Sequence, residues 1–193
     1  MSENQDLPRL GFASSADWEA WLAENYSTSP GLWLKISKRG ATEPSMTYDE
    51  ALDIALCYGW IDGQKATFDD EYWLQRFTPR RPGSKWSQRN RSKATDLIAQ
   101  GRMQPAGLSA VEAAKADGRW DAAYASPSTA TVPDDLQRAL ETNPAARAFF
   151  ETLDRQNRYA ILYRIQDAKK PETRAQRITK FVALLAEGKK LYP

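Results

Sequence analysis

Histidine is absent from the 193 residues of this chain. Without an imidazole, no side chain has an ordinary pKa near neutrality, so the chain cannot build a Ser-His-Asp or Cys-His catalytic arrangement. A zinc or iron site would have to use carboxylates and at most one thiolate, which is a poor donor set for those metals. We therefore predict no cofactor and no metal centre of that kind, although oxygen ligands alone would suit magnesium.

Cysteine is almost absent as well, since Cys57 is the only one, and this excludes a disulfide within the chain. Its place beside Tyr58 and Trp60 favours a buried, inert thiol over a nucleophile, which would need a nearby cation or base. The sequence also lacks an apolar run long enough to span a membrane, and residues 1–8 do not show the basic-then-apolar pattern of a signal peptide. We expect no membrane span and a cytoplasmic location.

Basic and acidic residues are nearly balanced in number, 27 against 25, but they are unevenly placed. Residues 72–95 contain no acid, so the rest of the chain holds 20 basic against 25 acidic residues. A concentrated cationic segment in a near-neutral protein indicates an anionic partner. The basic residues of this segment are Arg76, Arg80, Arg81, Lys85, Arg89, Arg91 and Lys93.

Helical and strand periodicities divide the first two thirds of the chain into short elements. Ser14 and Asp17 have N-cap spacing, and Thr47 with Glu50 forms a capping box. The acidic turn 69–71 separates two aromatic-rich runs, which predicts an antiparallel hairpin. The predicted elements are a helix from Ser14 to about Tyr26, a strand 32–37, a helix 48–58, hairpin strands 60–68 and 72–78, a helix from near Ser84 to before Gly101, and a helix 106–117.

These elements predict an α+β fold with a small antiparallel sheet of about three strands and flanking helices. The segment 125–133 has the composition of a linker, and the pattern beyond it is helical throughout. We therefore predict two parts: an α+β domain over residues 1–125 and a helical subdomain over residues 126–193. Because so few helices are marginally stable alone, the second part is expected to dock on the first.

The strand-loop-helix segment 76–90 is the predicted binding site. The first turn of a helix exposes unpaired N–H groups and favours anions, and guanidinium groups grip phosphate or carboxylate with two hydrogen bonds. The alternative to anion binding is that these arginines are merely solvated. Asp62 is predicted to lie opposite Arg76 and to form a cross-strand ion pair with it. Trp60, Trp73 and Trp86 would supply either core contacts or a stacking surface. The predicted ligand-binding residues are Arg76, Thr78, Arg80, Arg81, Ser84, Lys85, Trp86, Asn90, Trp60 and Asp62.

The sequence contains four long motifs: CYGWIDG at 57–63, RFTPRRPGSKWS at 76–87, GRMQPAG at 101–107 and AKKPETR at 168–174. They resemble the YdeI/OmpD-associated, or bacteriocin-protection, family of small bacterial proteins. The resemblance extends over nearly the whole chain and implies a link to stress or peptide resistance, but it brings no catalytic residues. The periplasmic location that the family name suggests conflicts with residues 1–8, so the expected location remains the cytoplasm.

The function predicted from these observations is binding of an anionic small molecule or phosphate group at the 76–90 loop. The sequence leaves three alternatives open. One is single-stranded nucleic-acid binding, favoured by the mixture of arginine and tryptophan. Another is an enzyme that uses Asp62 as a base and arginines to stabilise a developing anion. The third is an interaction protein that meets an acidic surface. The sequence does not determine the oligomeric state.

Overall fold

A computed structural model describes residues 7–43 and 45–193. Within these ranges the chain forms four strands and eight α-helices, divided between two units. The larger unit comprises the residues before Ser87 together with Asn90–Ala122, and the smaller unit comprises Ser87–Arg89 and Ala123–Pro193. None of the helices in the described ranges combines the length and apolar composition that a membrane crossing requires.

The larger unit carries all four strands and four helices. Local capping explains two of the helix starts, because Ser14 and Thr47 each form a reciprocal capping box with the residue three positions on. The elements are β1 (Arg9–Leu10), α1 (Ser15–Asn25), β2 (Leu32–Ser37), α2 (Tyr48–Cys57), β3 (Trp60–Thr67), β4 (Tyr72–Pro79), α3 (Gln88–Ala99) and α4 (Pro105–Ala116).

The strands form one mixed sheet in the order β1-β2-β4-β3. β2, β4 and β3 are antiparallel neighbours, whereas β1 runs parallel to β2. The predicted α+β class and the β3–β4 hairpin are confirmed. The predicted count of about three strands is one too low, because the two residues of β1 are too few to show an alternating pattern.

One side of the sheet faces helices α1 and α2 and contains the core of this unit. Leu32, Leu34 and Phe77 are fully buried there. Trp18 of α1 packs against Phe77, with ring centroids 5.8 Å apart, and its Nε1 donates a hydrogen bond to the carbonyl of Ala51 in α2. This bond satisfies the indole N–H of a side chain that has no solvent exposure.

The register of the hairpin differs from the prediction at Asp62, which pairs with Phe77 and not with Arg76. A bulge lies between Asp62 and Lys65. Cross-strand partners project from the same side of a sheet and successive residues from opposite sides, so Asp62 lies on the helix-facing side and Arg76 on the other. The predicted ion pair between Asp62 and Arg76 is therefore wrong.

The segment between β4 and α3 is longer than the sequence indicated. α3 begins at Gln88 rather than near Ser84, and Ser84 instead closes a turn by donating its N–H to the carbonyl of Arg81. α4 then crosses the end of α2, where the N–H of Gln104 bonds to the carbonyl of Cys57 at 3.1 Å. Gly107 lies so close to Cys57 that a Cβ atom on it would collide with the Cys57 carbonyl.

The smaller unit is helical, as predicted for this part of the chain. Its core consists of apolar side chains from all four of its helices, among them Leu136, Phe150, Ile161 and Phe181. The side chain of Asn157 is buried and bonds to the N–H groups of Leu191 and Tyr192, which fastens the C-terminal segment. The helices are α5 (Asp134–Glu141), α6 (Pro144–Glu151), α7 (Arg155–Gln166) and α8 (Pro171–Ala186).

Candidate functional site

A groove of about 470 Å³ lies in the larger unit, between the end of β4 and helix α4. It is assembled from four separate segments of the chain: the end of α1, the α2–β3 junction, the loop after β4, and α4 with the turn that follows it. Three arginines and one aspartate contribute the charged groups. The lining residues are Tyr26, Tyr58, Gly59, Trp60, Pro79, Arg80, Arg81, Pro82, Gly83, Ala106, Ser109, Ala110, Ala113, Asp117 and Arg119.

Arg80 is held in place by contacts along its length. Its backbone N–H bonds to the carbonyl of Gly59 at 3.0 Å, and its Nη1 donates to the carbonyl of Lys85 at 3.2 Å. The guanidinium carbon lies 3.6 Å from the ring centroid of Trp86, which is the distance of a cation–π contact. Trp86 is itself 2% exposed and packs edge-on against Trp120, with centroids 4.9 Å apart. The cation is therefore positioned by aromatic stacking rather than left to sample solvent.

Arg119 connects the loop after β4 to the end of α4. Its Nε donates to both carboxylate oxygens of Asp117, at 2.8 and 2.7 Å, and its Nη1 donates to the carbonyl of Ser84 at 2.8 Å. Only 18% of the Arg119 side chain is exposed. Three of the side chains that line the groove are cationic and one is anionic.

The remaining walls of the groove are aromatic or small. Tyr26 and Tyr58 pack together with ring centroids 5.8 Å apart, and Trp60 beneath them donates its Nε1 to the carbonyl of Tyr26. Burial raises the pKa of the Tyr58 hydroxyl, so this group stays protonated. Along α4 the groove is lined by alanines and by Ser109, whose short side chains leave room for a ligand. The site combines a cationic end with an apolar surface.

The structure separates the predicted binding residues into three groups. Trp60, Arg80 and Arg81 line the groove. Ser84 and Lys85 support it through their carbonyl groups, and Trp86 supports it through the stack with Arg80. The other four residues lie elsewhere: Arg76 and Thr78 project from the sheet side that faces away from α1 and α2, and Asp62 and Asn90 belong to a separate cluster.

That separate cluster lies on the helix-facing side of β3. Asp62 accepts hydrogen bonds from the hydroxyl of Tyr48 at 2.8 Å and from Nδ2 of Asn90 at 3.2 Å. Asn90 is 6% exposed, which makes it one of the few buried polar side chains in the larger unit. Asp62 thus has hydroxyl and amide partners in place of the cross-strand arginine that was predicted for it.

Several groove residues were not anticipated from the sequence, namely Tyr26, Tyr58, Ser109 and Arg119. Each lies outside the basic segment 72–95, and no local pattern distinguishes it from an ordinary helix or turn residue. The one signal available was the pair of motifs at 57–63 and 101–107, which meet in space because Gly107 packs on the carbonyl of Cys57. Long motifs at distant positions can indicate segments that touch.

Cys57 is buried at the end of α2, as predicted. Burial raises the pKa of its thiol to about 11, so it stays protonated at physiological pH. Since the thiolate is the nucleophilic form, this residue is chemically inert in the folded protein.

Two family models match the chain. Residues 10–110, just over half of it, match the model described as "Domain of unknown function (DUF8412)". Residues 129–188 match the model described as "Bacteriocin-protection, YdeI or OmpD-Associated". No curated protein and no solved structure matches this chain.

The two matched regions contain different numbers of the four motifs. Three of the four motifs on which the predicted resemblance rested lie within residues 10–110, and only the motif at 168–174 lies within residues 129–188. All but three of the groove residues also fall within residues 10–110, the exceptions being Ala113, Asp117 and Arg119. The predicted resemblance to the bacteriocin-protection, YdeI or OmpD-associated family is confirmed by the match over residues 129–188, a shorter range than the predicted one. Over the larger part of its length, the chain belongs to the family of this domain of unknown function.

Proposed function

We propose that the groove of the larger unit binds a small organic anion that carries a phosphate or carboxylate group. The observation that carries this proposal is the gathering of Arg80, Arg81 and Arg119 around one concave surface with a single carboxylate, Asp117, among them. Guanidinium groups bind such anions through paired hydrogen bonds, and their interaction strengthens where water is partly excluded. A cavity of about 470 Å³ lies in the size range of small-molecule sites.

The position of Arg80 supports this function because its guanidinium is already ordered by Trp86 and by the carbonyl of Lys85. An ordered cation loses less side-chain entropy when a ligand binds than a solvated one does. The bond from Arg119 to the carbonyl of Ser84 restrains the same loop from the other side. Both contacts reduce the free-energy penalty of binding.

The walls of the groove indicate the chemical character of the rest of the ligand. Tyr26 and Tyr58 present aromatic surface, and the face of α4 presents alanine methyl groups with one hydroxyl at Ser109. A ligand with an anionic end and a flat or apolar body would bury surface against both walls. Inorganic phosphate alone would use only the cationic end and should bind more weakly than an aryl phosphate or an aryl carboxylate.

The test is a titration of the isotope-labelled full chain followed by amide NMR shifts, with inorganic phosphate, phenyl phosphate and benzoate as probes at constant ionic strength. We expect the largest shifts at Gly59, Gly83 and Ala110 and tighter binding of phenyl phosphate than of inorganic phosphate. Arg81→Gln should weaken phenyl phosphate binding about tenfold, which corresponds to one charge-assisted contact.

Arg39→Gln is the matched control, because Arg39 is also an exposed arginine of the larger unit but follows the end of β2 that pairs with Tyr72, at the opposite end of β4 from the groove. It removes the same charge and should leave the affinity unchanged. The proposal fails if phenyl phosphate shifts amides away from the groove, or if both variants weaken binding equally, since the effect would then come from net charge alone.

We also keep the predicted link to stress or peptide resistance as a proposal, which the description of the matched family supports. Bacteria that express this chain should survive a bacteriocin challenge better than bacteria that do not. Comparing the wild type with Arg81→Gln in the same assay would show whether the groove takes part in protection.

A further inference from the structure

The sheet of the larger unit has a second side, opposite to α1 and α2, which we call the open sheet face. The register assigns its members, because cross-strand partners project together: Arg9 pairs with Trp33, Trp33 with Arg76, Lys35 with Leu74, and Ala66 with Leu74. The residues of the open sheet face are Arg9, Trp33, Lys35, Ser37, Ile61, Ala66, Phe68, Tyr72, Leu74, Arg76 and Thr78.

Most of these side chains retain contact with solvent. Arg9 and Phe68 are exposed, Phe68 at 37%, and Trp33, Lys35 and Arg76 are half-buried. The residues on the other side of the same strands, such as Leu32 and Phe77, have no exposure. Among the described residues, this difference in burial identifies the open sheet face as the more accessible side of the sheet.

The composition of the open sheet face is unusual for a chain with nearly balanced charge. It carries three cations, Arg9, Lys35 and Arg76, and three aromatic rings, Trp33, Phe68 and Tyr72, while none of its members is a carboxylate. Lys35 places its Nζ 4.4 Å from the ring centroid of Phe68. Cations and rings are thus interleaved across the strands rather than segregated.

Arg76 occupies the centre of this arrangement because Gly63 has no side chain. A Cβ atom at Gly63 would lie 2.9 Å from Nε of Arg76 and 3.5 Å from its Cζ, so the guanidinium covers the place that a larger residue would fill. Trp33 is the direct cross-strand partner of Arg76. A guanidinium and an indole ring therefore come from directly paired positions on this face, and each is a flat group on which a base can stack.

We propose that the open sheet face binds single-stranded nucleic acid. Proteins that bind single strands commonly present aromatic rings for the bases and cations for the phosphates on the exposed side of a sheet. A duplex keeps its bases stacked inside, so the rings of a flat face gain nothing from it, whereas a single strand offers both bases and phosphates. None of the strand residues of this face is a carboxylate, which complements the charge of a polynucleotide. The carboxylates of Glu43 and Glu71 lie at one edge of the face, beside Tyr72.

This surface differs from the one that the sequence indicated for nucleic acid. Trp60 and Trp86 are 1% and 2% exposed and have no surface to offer a base. Trp73 lies on the helix-facing side, where Lys65 places its Nζ 4.8 Å from the ring centroid. The proposal is also independent of the anion groove, since the two surfaces share no residue.

The test is fluorescence anisotropy of a short labelled oligothymidylate and the matching oligouridylate with the full chain over a series of salt concentrations. With three phosphate contacts, the logarithm of the association constant should fall against the logarithm of salt concentration with a slope of about −2. Lys35→Gln removes one contact and should bring the slope to about −1.4. Phe68→Leu removes a ring but keeps an apolar side chain, and it should weaken binding about tenfold with the slope unchanged.

Two control variants separate this site from the alternatives. Lys65→Gln removes the same charge from the other side of the sheet and should leave the affinity unchanged. Arg81→Gln, which should impair the anion groove, should also leave oligonucleotide binding unchanged, so this inference and the groove proposal can fail separately. Circular dichroism melting of each variant establishes that it is folded.

Several results would overturn the inference. The first is undetectable binding of both oligonucleotides at low salt, and the second is an equal loss of affinity for Lys35→Gln and Lys65→Gln. The third is an affinity for a duplex that matches the affinity for the single strand. The fourth is displacement of the oligonucleotide by polyglutamate together with an unchanged affinity for Phe68→Leu. A stronger signal with oligouridylate than with oligothymidylate would identify RNA as the preferred strand, and the reverse result would identify DNA.

Discussion

Gly107→Ala should destabilise the larger unit, although the same change in most helices is stabilising. Gly107 lies in the first turns of α4, at a buried position that is not in the left-handed region of the backbone. Replacing a helical glycine by alanine normally gains about 0.5–1 kcal/mol, because the backbone loses less entropy on folding. At Gly107, however, a new Cβ atom would lie 2.8 Å from the carbonyl oxygen of Leu56 and closer still to that of Cys57.

The expected magnitude follows from these two opposing effects. The obstacle is backbone at the end of α2, which cannot rotate away as a side chain can, so α4 must shift. Overfilling a close contact of this kind costs about 1–3 kcal/mol. Because the new Cβ atom would overlap two carbonyl oxygens, the upper part of this range, about 2–3 kcal/mol, applies. After the helical gain of about 0.5–1 kcal/mol is subtracted, we expect a net loss of about 1–2.5 kcal/mol in the free energy of unfolding, or a fall in melting temperature of roughly 2–10 °C for a chain of this size.

Tryptophan fluorescence is the appropriate assay because all seven tryptophans lie in the larger unit. Urea unfolding followed by this signal therefore reports on the unit that contains the substitution. Gly11→Ala is the matched control: its backbone is also outside the left-handed region, and the nearest atom to a new Cβ is Cδ of Lys35 at 3.6 Å, an ordinary contact with a flexible side chain. It should change stability little.

A result in which Gly107→Ala is as stable as the wild type, or more stable, would refute the close approach of α4 to α2. The groove depends on that approach, since α4 forms one of its walls and the α2–β3 junction forms another. If the substitution destabilises as expected, phenyl phosphate binding by the folded variant should also weaken, because a displaced α4 carries Ser109 and Ala110 away from Arg80.

Two further predictions concern buried groups outside the groove. Asn157→Ala removes the acceptor for the N–H groups of Leu191 and Tyr192 and should lower the free energy of unfolding by about 1–3 kcal/mol, measured by urea unfolding followed by circular dichroism. Gln156→Ala, a change at an exposed neighbouring residue, should lower it little. Equal effects of the two substitutions would contradict the anchoring role of Asn157. The Cys57 thiol should react slowly with Ellman's reagent at pH 8 until the chain is unfolded. Burial raises the pKa of this thiol to about 11, so its contribution to stability is complete below its ordinary pKa of 9.0 and is lost as pH rises from there towards 11. Rapid labelling of the native protein would show that Cys57 is exposed.

Most of the secondary structure of this protein could be predicted because its causes are local. The capping boxes at Ser14 and Thr47 each involve residues three positions apart, and the hairpin is set by a short acidic turn between two strands. Errors occurred where the local signal was weak. β1 is only two residues long, and the loop before α3 has enough polar residues to suggest a helix start four positions early.

The candidate site could be predicted only in part, and the reason is the same at each residue. The basic loop was visible in the sequence, and Arg80 and Arg81 do line the groove. The partners of that loop were not visible, because Arg119 reaches the carbonyl of Ser84 across 35 positions and Tyr58 joins the groove through the crossing of α2 and α4. The bulge between Asp62 and Lys65 shifts the register of the first three residues of β3 by one position, which pairs Asp62 with Phe77 and places it on the opposite side of the sheet from Arg76.

The amino-acid sequence by itself therefore determined the fold class, the order of the elements, the family and the existence of a cationic loop, all of which depend on residue type and on spacings of a few positions. Tertiary structure alone decided which cations share a surface, since the side of a strand on which a residue lies depends on register and on bulges. Arg76 and Arg80 are four residues apart in the same basic segment, yet one lies on the open sheet face and the other in the groove. Long-range packing separates them, and no local pattern records it.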